Sequence, residues 1–166
     1  MHMHRHLARW SVITATAGMS ACTLFQQTPY QPYSAWGGGG YSETEVQPGL
    51  FLVRFTGNES TTPGRAADLA LLRAADICLQ RGKSYLRVGG LTTKAVQSGY
   101  VPGTSTSTVT PTGPDSPPVV TVTTLPPTML YSPESGIAVT CTEGNQEGAW
   151  DANYLAHAIR TRYSIT

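Results

Sequence analysis

The three cysteines are the residues whose type and position imply the most specific chemistry. Cys22 closes the run Met19-Ser20-Ala21-Cys22. That run has the form of a lipobox, with small residues that a signal peptidase accepts, followed by a thiol able to carry diacylglycerol. Cys78 and Cys141 remain as a pair. They have no CxxC spacing and no histidine cluster beside them, which argues against zinc. In an exported chain a disulfide is the better reading of such a pair, against two separately buried thiols. Closing the long loop between them would stabilise the fold by about 4 kcal/mol if chain entropy alone acted.

Other reactive types offer less. His2, His4 and His6 resemble a metal-binding tract, but they precede Cys22 and would leave with a cleaved leader. His157 is then the sole histidine, and a Ser-His-Asp arrangement would need it with Asp151 and a serine. No GxSxG elbow is present, so an ordinary helical role for His157 is expected and an enzyme is the weakest of the functional readings. Glu43 and Glu45 lie two apart on an extended stretch, and Asp68 and Asp76 are two helical turns apart. Neither spacing makes an acid/base pair, and solvated carboxylates are expected. The run Gly37 to Gly40 lacks the following helix and Lys-Ser/Thr of a phosphate loop. Tyr41-Ser42-Glu43-Thr44 and Gly57-Asn58 are short polar segments at strand ends, which makes Tyr41, Glu43 and Asn58 a candidate binding edge. The plainer reading gives them turn geometry and the sheet edge. Asn58-Glu59-Ser60 matches a glycosylation sequon, taken as accidental in a chain with a bacterial leader. No metal or cofactor is expected.

The leader itself has three parts in order: Arg5 and Arg9, an apolar stretch from Leu7 to Ala21, and the small-residue cleavage site. The stretch is shorter than the roughly 20 apolar residues of a membrane-spanning helix. The expected organisation is a signal peptide over 1–21, a flexible lipid-anchored tether over 22–40, and one domain over 41–166 with a low-complexity insert at about 102–135. More than one acyl chain on Cys22 would make attachment stable. Thr23, rather than Asp, follows Cys22, which in a two-membrane bacterium favours the outer membrane with the domain facing the periplasm. Loss of Arg5 and Arg9 takes the formal charge from +1 to −1, and no basic patch points to nucleic acid. As a flexible chain, the tether would hold the domain about 25 Å from the lipid. Its aromatics Tyr30, Tyr33 and Trp36, with Tyr41, could sit among headgroups or dock on a partner; the plainer reading folds them back on the domain.

The elements that must carry these residues follow from periodicity. Phe51, Val53 and Phe55 alternate with Leu52, Arg54 and Thr56, the period of a strand with one face inward, so the folded part is expected to start near Leu50. Thr62 caps a helix that Pro63 opens and Gly82 ends. Ala67, Leu71, Ala74, Ala75 and Cys78 recur at helical spacing on its buried stripe. Leu86 and Val88 begin a second strand that continues or turns back through Tyr100. Ile137 to Cys141 make a third, with Ile137, Val139 and Cys141 on one face, so both cysteines point at one core. Between Pro102 and Pro133 the Thr, Ser, Pro and Gly content predicts a long loop, with Val119 to Val122 as a candidate edge strand. A last helix is expected from Ala149 to Thr161, with Trp150, Tyr154, Leu155, Ala158 and Ile159 inward. The order implies a small two-layer α+β domain: three to five strands with two helices on one face.

The run Tyr41-Ser42-Glu43-Thr44, then Pro48-Gly49, Phe55, Gly57-Asn58, Ala70-Leu71-Leu72-Arg73-Ala74-Ala75 and Trp150-Asp151-Ala152, resembles a group of small bacterial envelope lipoproteins of uncharacterised function. The resemblance covers roughly residues 41–90 and 136–160. It implies an envelope address and an α+β core, but no activity and no catalytic residues. The Thr/Pro insert and Trp150 depart from the pattern. The expectation is a non-enzymatic envelope protein in a structural or adaptor role, held to the membrane by its lipid, with an envelope protein as partner. The alternative is a binding module for a cell-wall or small envelope molecule at the Tyr41, Glu43 and Asn58 edge.

Overall fold

A computed structural model describes residues 26–36, 38–110 and 119–166. The leader, Cys22, Gly37 and residues 111–118 lie outside the described residues. In chain order the elements are β1 (Gly40–Gln47), β2 (Leu50–Thr56), α1 (Pro63–Gln80), β3 (Tyr85–Val101), β4 (Thr104–Thr110), β5 (Val119–Leu125), β6 (Thr128–Thr142), β7 (Ala149–Asp151) and α2 (Ala152–Tyr163). Five strands form one antiparallel sheet in the order β1-β2-β6-β3-β7, and β4 and β5 form a separate two-stranded ribbon. The fold is α+β, with the two helices against the sheet.

The core follows the two periodicities of the sequence. Phe51, Val53 and Phe55 of β2 are buried with Ile137 and Val139 of β6 and Leu86 of β3, while Leu52 and Arg54 point the other way. Against that face α1 lays Ala66, Leu69, Ala70, Leu72, Ala74, Ala75 and Cys78. Alanines every third or fourth residue let the helix approach the sheet closely, and Leu69 and Leu72 fill what remains. Thr62 caps α1 by accepting from the Arg65 N–H at 3.2 Å, and Pro63 occupies its first turn. At the other end Gly82 has φ +71°; its N–H donates to the Leu79 carbonyl and the Lys83 N–H to the Cys78 carbonyl. Those two bonds satisfy carbonyls that the helix leaves open, and the left-handed position suits glycine.

Cys78 and Cys141 form a disulfide with their Cα atoms 5.2 Å apart. It joins the buried stripe of α1 to the inner face of β6, as the shared face of the two residues implies.

Three expectations are corrected. The ordered strands begin at Gly40 and not near Leu50: β1 pairs with β2 from Gly40↔Thr56 to Gln47↔Leu50. Its outward and polar residues give no apolar alternation, so the strand was hidden in the sequence. The 102–135 insert is not a loop where it is described. β3 and β6 run out as a paired ribbon to Val101↔Thr128, and β4 pairs with β5 from Thr104↔Leu125 to Thr110↔Val119. Thr and Val favour extended backbone through their branched Cβ, and strand pairing satisfies the backbone there without a core. Finally, α2 starts at Ala152, because the Asp151 carboxylate accepts from the Tyr154 N–H at 2.9 Å and fixes the cap. Trp150 falls in β7 opposite Leu86. Trp150, Tyr154 and Ala158 are exposed, and the inner face is Ala152, Ala156 and Ile159 with Leu155 at its border.

The bridge links segments 63 residues apart in sequence, so the Cys78→Ala, Cys141→Ala double variant is expected to lose about 4 kcal/mol. Urea unfolding of the oxidised protein, the reduced protein and the variant checks this. Equal midpoints for all three would contradict it.

Candidate functional site

Two polar clusters gather the residues singled out in the sequence, and both are assembled by the chain's own N-terminal segment. Residues 26–36 and 38–40, expected as part of a flexible tether, lie on the domain; the plainer reading that the tether aromatics fold back holds for Tyr30, while Trp36 is exposed. The Thr28 side chain is 1 % exposed. Its N–H donates to Thr61 Oγ1 at 2.9 Å, its hydroxyl donates to the Gly38 carbonyl at 2.7 Å, and the hydroxyl oxygen accepts from the Asn58 N–H at 2.8 Å. Asn58 completes the knot: its Nδ2 donates to the Gln26 carbonyl at 2.6 Å and its Oδ1 accepts from the Thr61 hydroxyl at 2.8 Å. The strap then crosses β1, with the Tyr33 N–H donating to Tyr41 O at 2.7 Å and the Tyr41 N–H donating to Gln31 O at 2.8 Å. The glycine run makes this crossing feasible, since a Cβ at Gly39 would lie 2.1 Å from the Thr56 carbonyl oxygen.

Tyr41 and Glu43 enter the second cluster. The Tyr41 ring packs on Tyr30 with centroids 4.8 Å apart, and the Arg73 guanidinium lies 4.5 Å over the Tyr41 ring. Arg73 reaches on to Glu43, with Nε donating to Oε2 at 3.1 Å and Nη2 bonding the other oxygen. Tyr30 donates its phenol to Asp76 Oδ2 at 2.6 Å. Arg160 of α2 holds both oxygens of the same carboxylate, at 2.9 and 2.8 Å. Charge-assisted, two-pronged contacts of this kind are the stronger class of hydrogen bond.

The four carboxylates expected to be solvated are therefore paired. Glu43 and Glu45 on β1 meet Arg73 on one flank of α1 and Arg81 at its C-terminal cap, and Asp76 and Asp68 on the other flank meet Arg160 and Arg162 of α2. The Gly49 N–H, and after it Arg81, hold the Glu45 carboxyl below its usual range. Asp151 caps α2 and His157 is exposed. Among the described residues no three His, Cys, Asp or Glu side chains are placed to hold a metal.

The structure thus brings Tyr41 and Glu43 together through Arg73, and places Asn58 at a separate knot. An open recess of about 330 Å³ lies beside Asn58, lined also by Tyr33, Gly57, Glu59, Val96 and Ser98. Tyr41 and Glu43 do not reach it. Ser98 donates to Glu59 at 2.6 Å and holds that carboxyl below its usual range. The polar edge read in the sequence is occupied by the strap and by arginines. Thr28, Tyr30, Asp76 and Arg160 were missed as its members. The one available signal was a hydroxyl and an aromatic residue just before a glycine run that permits close contact. No protein-family model, curated protein or solved structure matches this chain.

Burial, followed by the bond to Asp76, pushes the Tyr30 phenol far above its ordinary value. The unfolded chain releases that proton near pH 10 and the folded chain keeps it, so stability is full below about pH 10 and falls as pH rises beyond it. Tyr30→Phe is expected to cost about 1–2 kcal/mol at pH 7 and to make the alkaline fall shallower. Tyr163, raised by its own burial and by Asp68, supplies part of the slope that remains. Urea midpoints of both proteins at pH 7, 9 and 11 decide it, and identical slopes would contradict the assignment.

Proposed function

We propose that the chain is a non-enzymatic lipid-anchored protein of the bacterial cell envelope, attached through Cys22 to the outer membrane and facing the periplasm, with an adaptor role. The observation that carries this reading is the Cys78–Cys141 disulfide between α1 and β6. Structural disulfides belong to oxidising compartments, and a lipobox is the address of an anchored protein there. The resemblance to small envelope lipoproteins agrees with it.

The docked strap changes what such an anchor would do. Only residues 23–25 separate Cys22 from Gln26, a reach of at most about 14 Å. The domain would sit against the membrane with the strap side towards it, in place of the roughly 25 Å of slack that a free tether would give. The adaptor role rests on the exposed ribbon formed by the outer parts of β3 and β6 with β4 and β5. Tyr100, Val101, Val120, Val122, Leu125, Met129 and Tyr131 are all about half exposed or more, and they lie on both faces of the ribbon, a concentration of exposed apolar side chains that suits an interaction site.

In a two-membrane bacterium the wild-type protein is expected to sediment with the outer membrane and to incorporate a fatty-acid label, while Cys22→Ser remains unlabelled and leaves that fraction. Cross-linking in intact envelopes is expected to yield adducts larger than the chain. An unlabelled wild type would overturn the anchor, and recovery of nothing but single chains under varied cross-linking would overturn the adaptor role.

A further inference from the structure

We infer that the β4–β5 ribbon is a self-association element, in which β5 of one copy pairs antiparallel with β5 of a second copy. This deepens the adaptor reading by naming one partner, another copy of this chain.

Every residue of β4 and β5 is exposed. The two strands contact each other and make no substantial contact with the rest of the fold. Each has one unpaired edge among the described residues. A lone two-stranded ribbon is marginal in water, whereas three or more strands are self-sustaining. Pairing β5 with its copy gives the four-stranded order β4-β5-β5-β4.

The chain guards the strand edges nearer its core. β1 carries Glu43 and Glu45, a shift of register between Glu45 and Gln47, and the strap across Tyr41. The outer edge of β3 is covered by β7 only over Tyr85–Arg87, and beyond that it has Lys94 and shifts of register at Gly89–Leu91 and Gln97–Gly99. Charges and bulges are the usual devices that keep strand edges from pairing. β4 and β5 have none: neither contains a charge or a proline, and their pairing is unbroken. Between Lys94 and Glu134 the sequence holds one charged residue, Asp115, outside both strands.

That pattern selects a second copy over an unlike partner. Across a two-fold axis each residue meets its own strand, so any charge risks facing its like, which is destabilising. An interface with a different protein carries no such penalty, since opposite charges can be set facing each other across it. Of the two edges β5 is the better, with Val119, Val120, Val122 and Leu125 all more than half exposed. The register that pairs all seven residues places Val122 opposite Val122, Thr121 opposite Thr123, Val120 opposite Thr124 and Val119 opposite Leu125. These are β-branched and apolar pairs, the favoured ones across strands.

The test uses the full chain, expressed with its leader and purified in detergent, and its association constant from sedimentation. Val122→Lys and Val122→Glu are each expected to weaken dimerisation at least about tenfold, because each sets like charges face to face. An equal mixture of the two is expected to recover a mixed dimer. An unchanged far-UV spectrum keeps folding out of the comparison, since the ribbon does not touch the core. On oxidation Val122→Cys is expected to cross-link as a dimer more readily than Ser107→Cys on β4. A monomeric wild type, charge variants that dimerise as well as wild type, or no recovery on mixing would overturn the inference. So would a monomer whose ribbon becomes protease-protected in phospholipid vesicles, which would make the membrane the occupant. A monomer that still forms adducts with other envelope proteins would end self-pairing and leave the adaptor reading. A dimer without such adducts would uphold self-pairing and end the wider role.

Discussion

Burial of one stripe of α1 against the inner face of β2, β6 and β3 is the interaction on which the other features depend. Leu69, Leu72 and Cys78 are fully buried there with Val53, Phe55, Leu86 and Val139. Each large aliphatic side chain of this kind contributes about 1.5–3 kcal/mol through removal from water. The disulfide restrains the same contact covalently. Once α1 is seated, its two flanks are fixed in space, and the arginines and aspartates on them meet partners on β1 and on α2. The ion pairs are then consequences of packing. Exposed pairs such as Arg81 with Glu45 add little, while the half-buried set of Tyr30, Asp76 and Arg160 fixes where the N-terminal segment and α2 lie.

The strap joins the fold to the proposed anchor. A segment rich in Pro, Gly and aromatic residues has two physical options: to remain a solvated chain, or to find enough specific partners to offset the entropy of ordering. Thr28 and Tyr30 supply those partners, one through three hydrogen bonds in a buried knot and the other through a ring stack and a carboxylate. Ordering this segment would make the proposed lipid attachment at Cys22 a short link in place of a long leash. Among the described residues the β4–β5 ribbon stays exposed throughout.

Elements with strong periodicity and local caps were legible from the residues. The alternation in β2 and around Ile137 to Cys141, and the Thr62, Pro63 and Gly82 signals of α1, name their own structures, and the shared face of the cysteines implied their pairing. β1 was illegible because its inward residues are Tyr41, Glu43 and Glu45, whose burial partners are arginines on a helix remote in sequence. Of the ribbon only Val119 to Val122 was read as a candidate edge strand, where β5 lies; the rest was passed over because low hydrophobicity was read as loop, although Thr and Val favour strands wherever a partner strand is present. The surroundings of the candidate site were illegible for the same reason as those of β1. Tyr41, Glu43 and Asn58 were recognised as unusual, but the groups that satisfy them, Arg73, Thr28 and the Gln26 carbonyl, are distant in the chain, and no local spacing encodes that.

Intact mass of the protein extracted from membranes, with thiol labelling before and after reduction, decides whether a disulfide-closed domain is held close to a lipid at Cys22. The expected species begins at Cys22, carries acyl mass, takes no label when native and takes two labels after reduction. A full-length, unacylated chain with three free thiols would contradict the compartment, the anchor and the bridge at once.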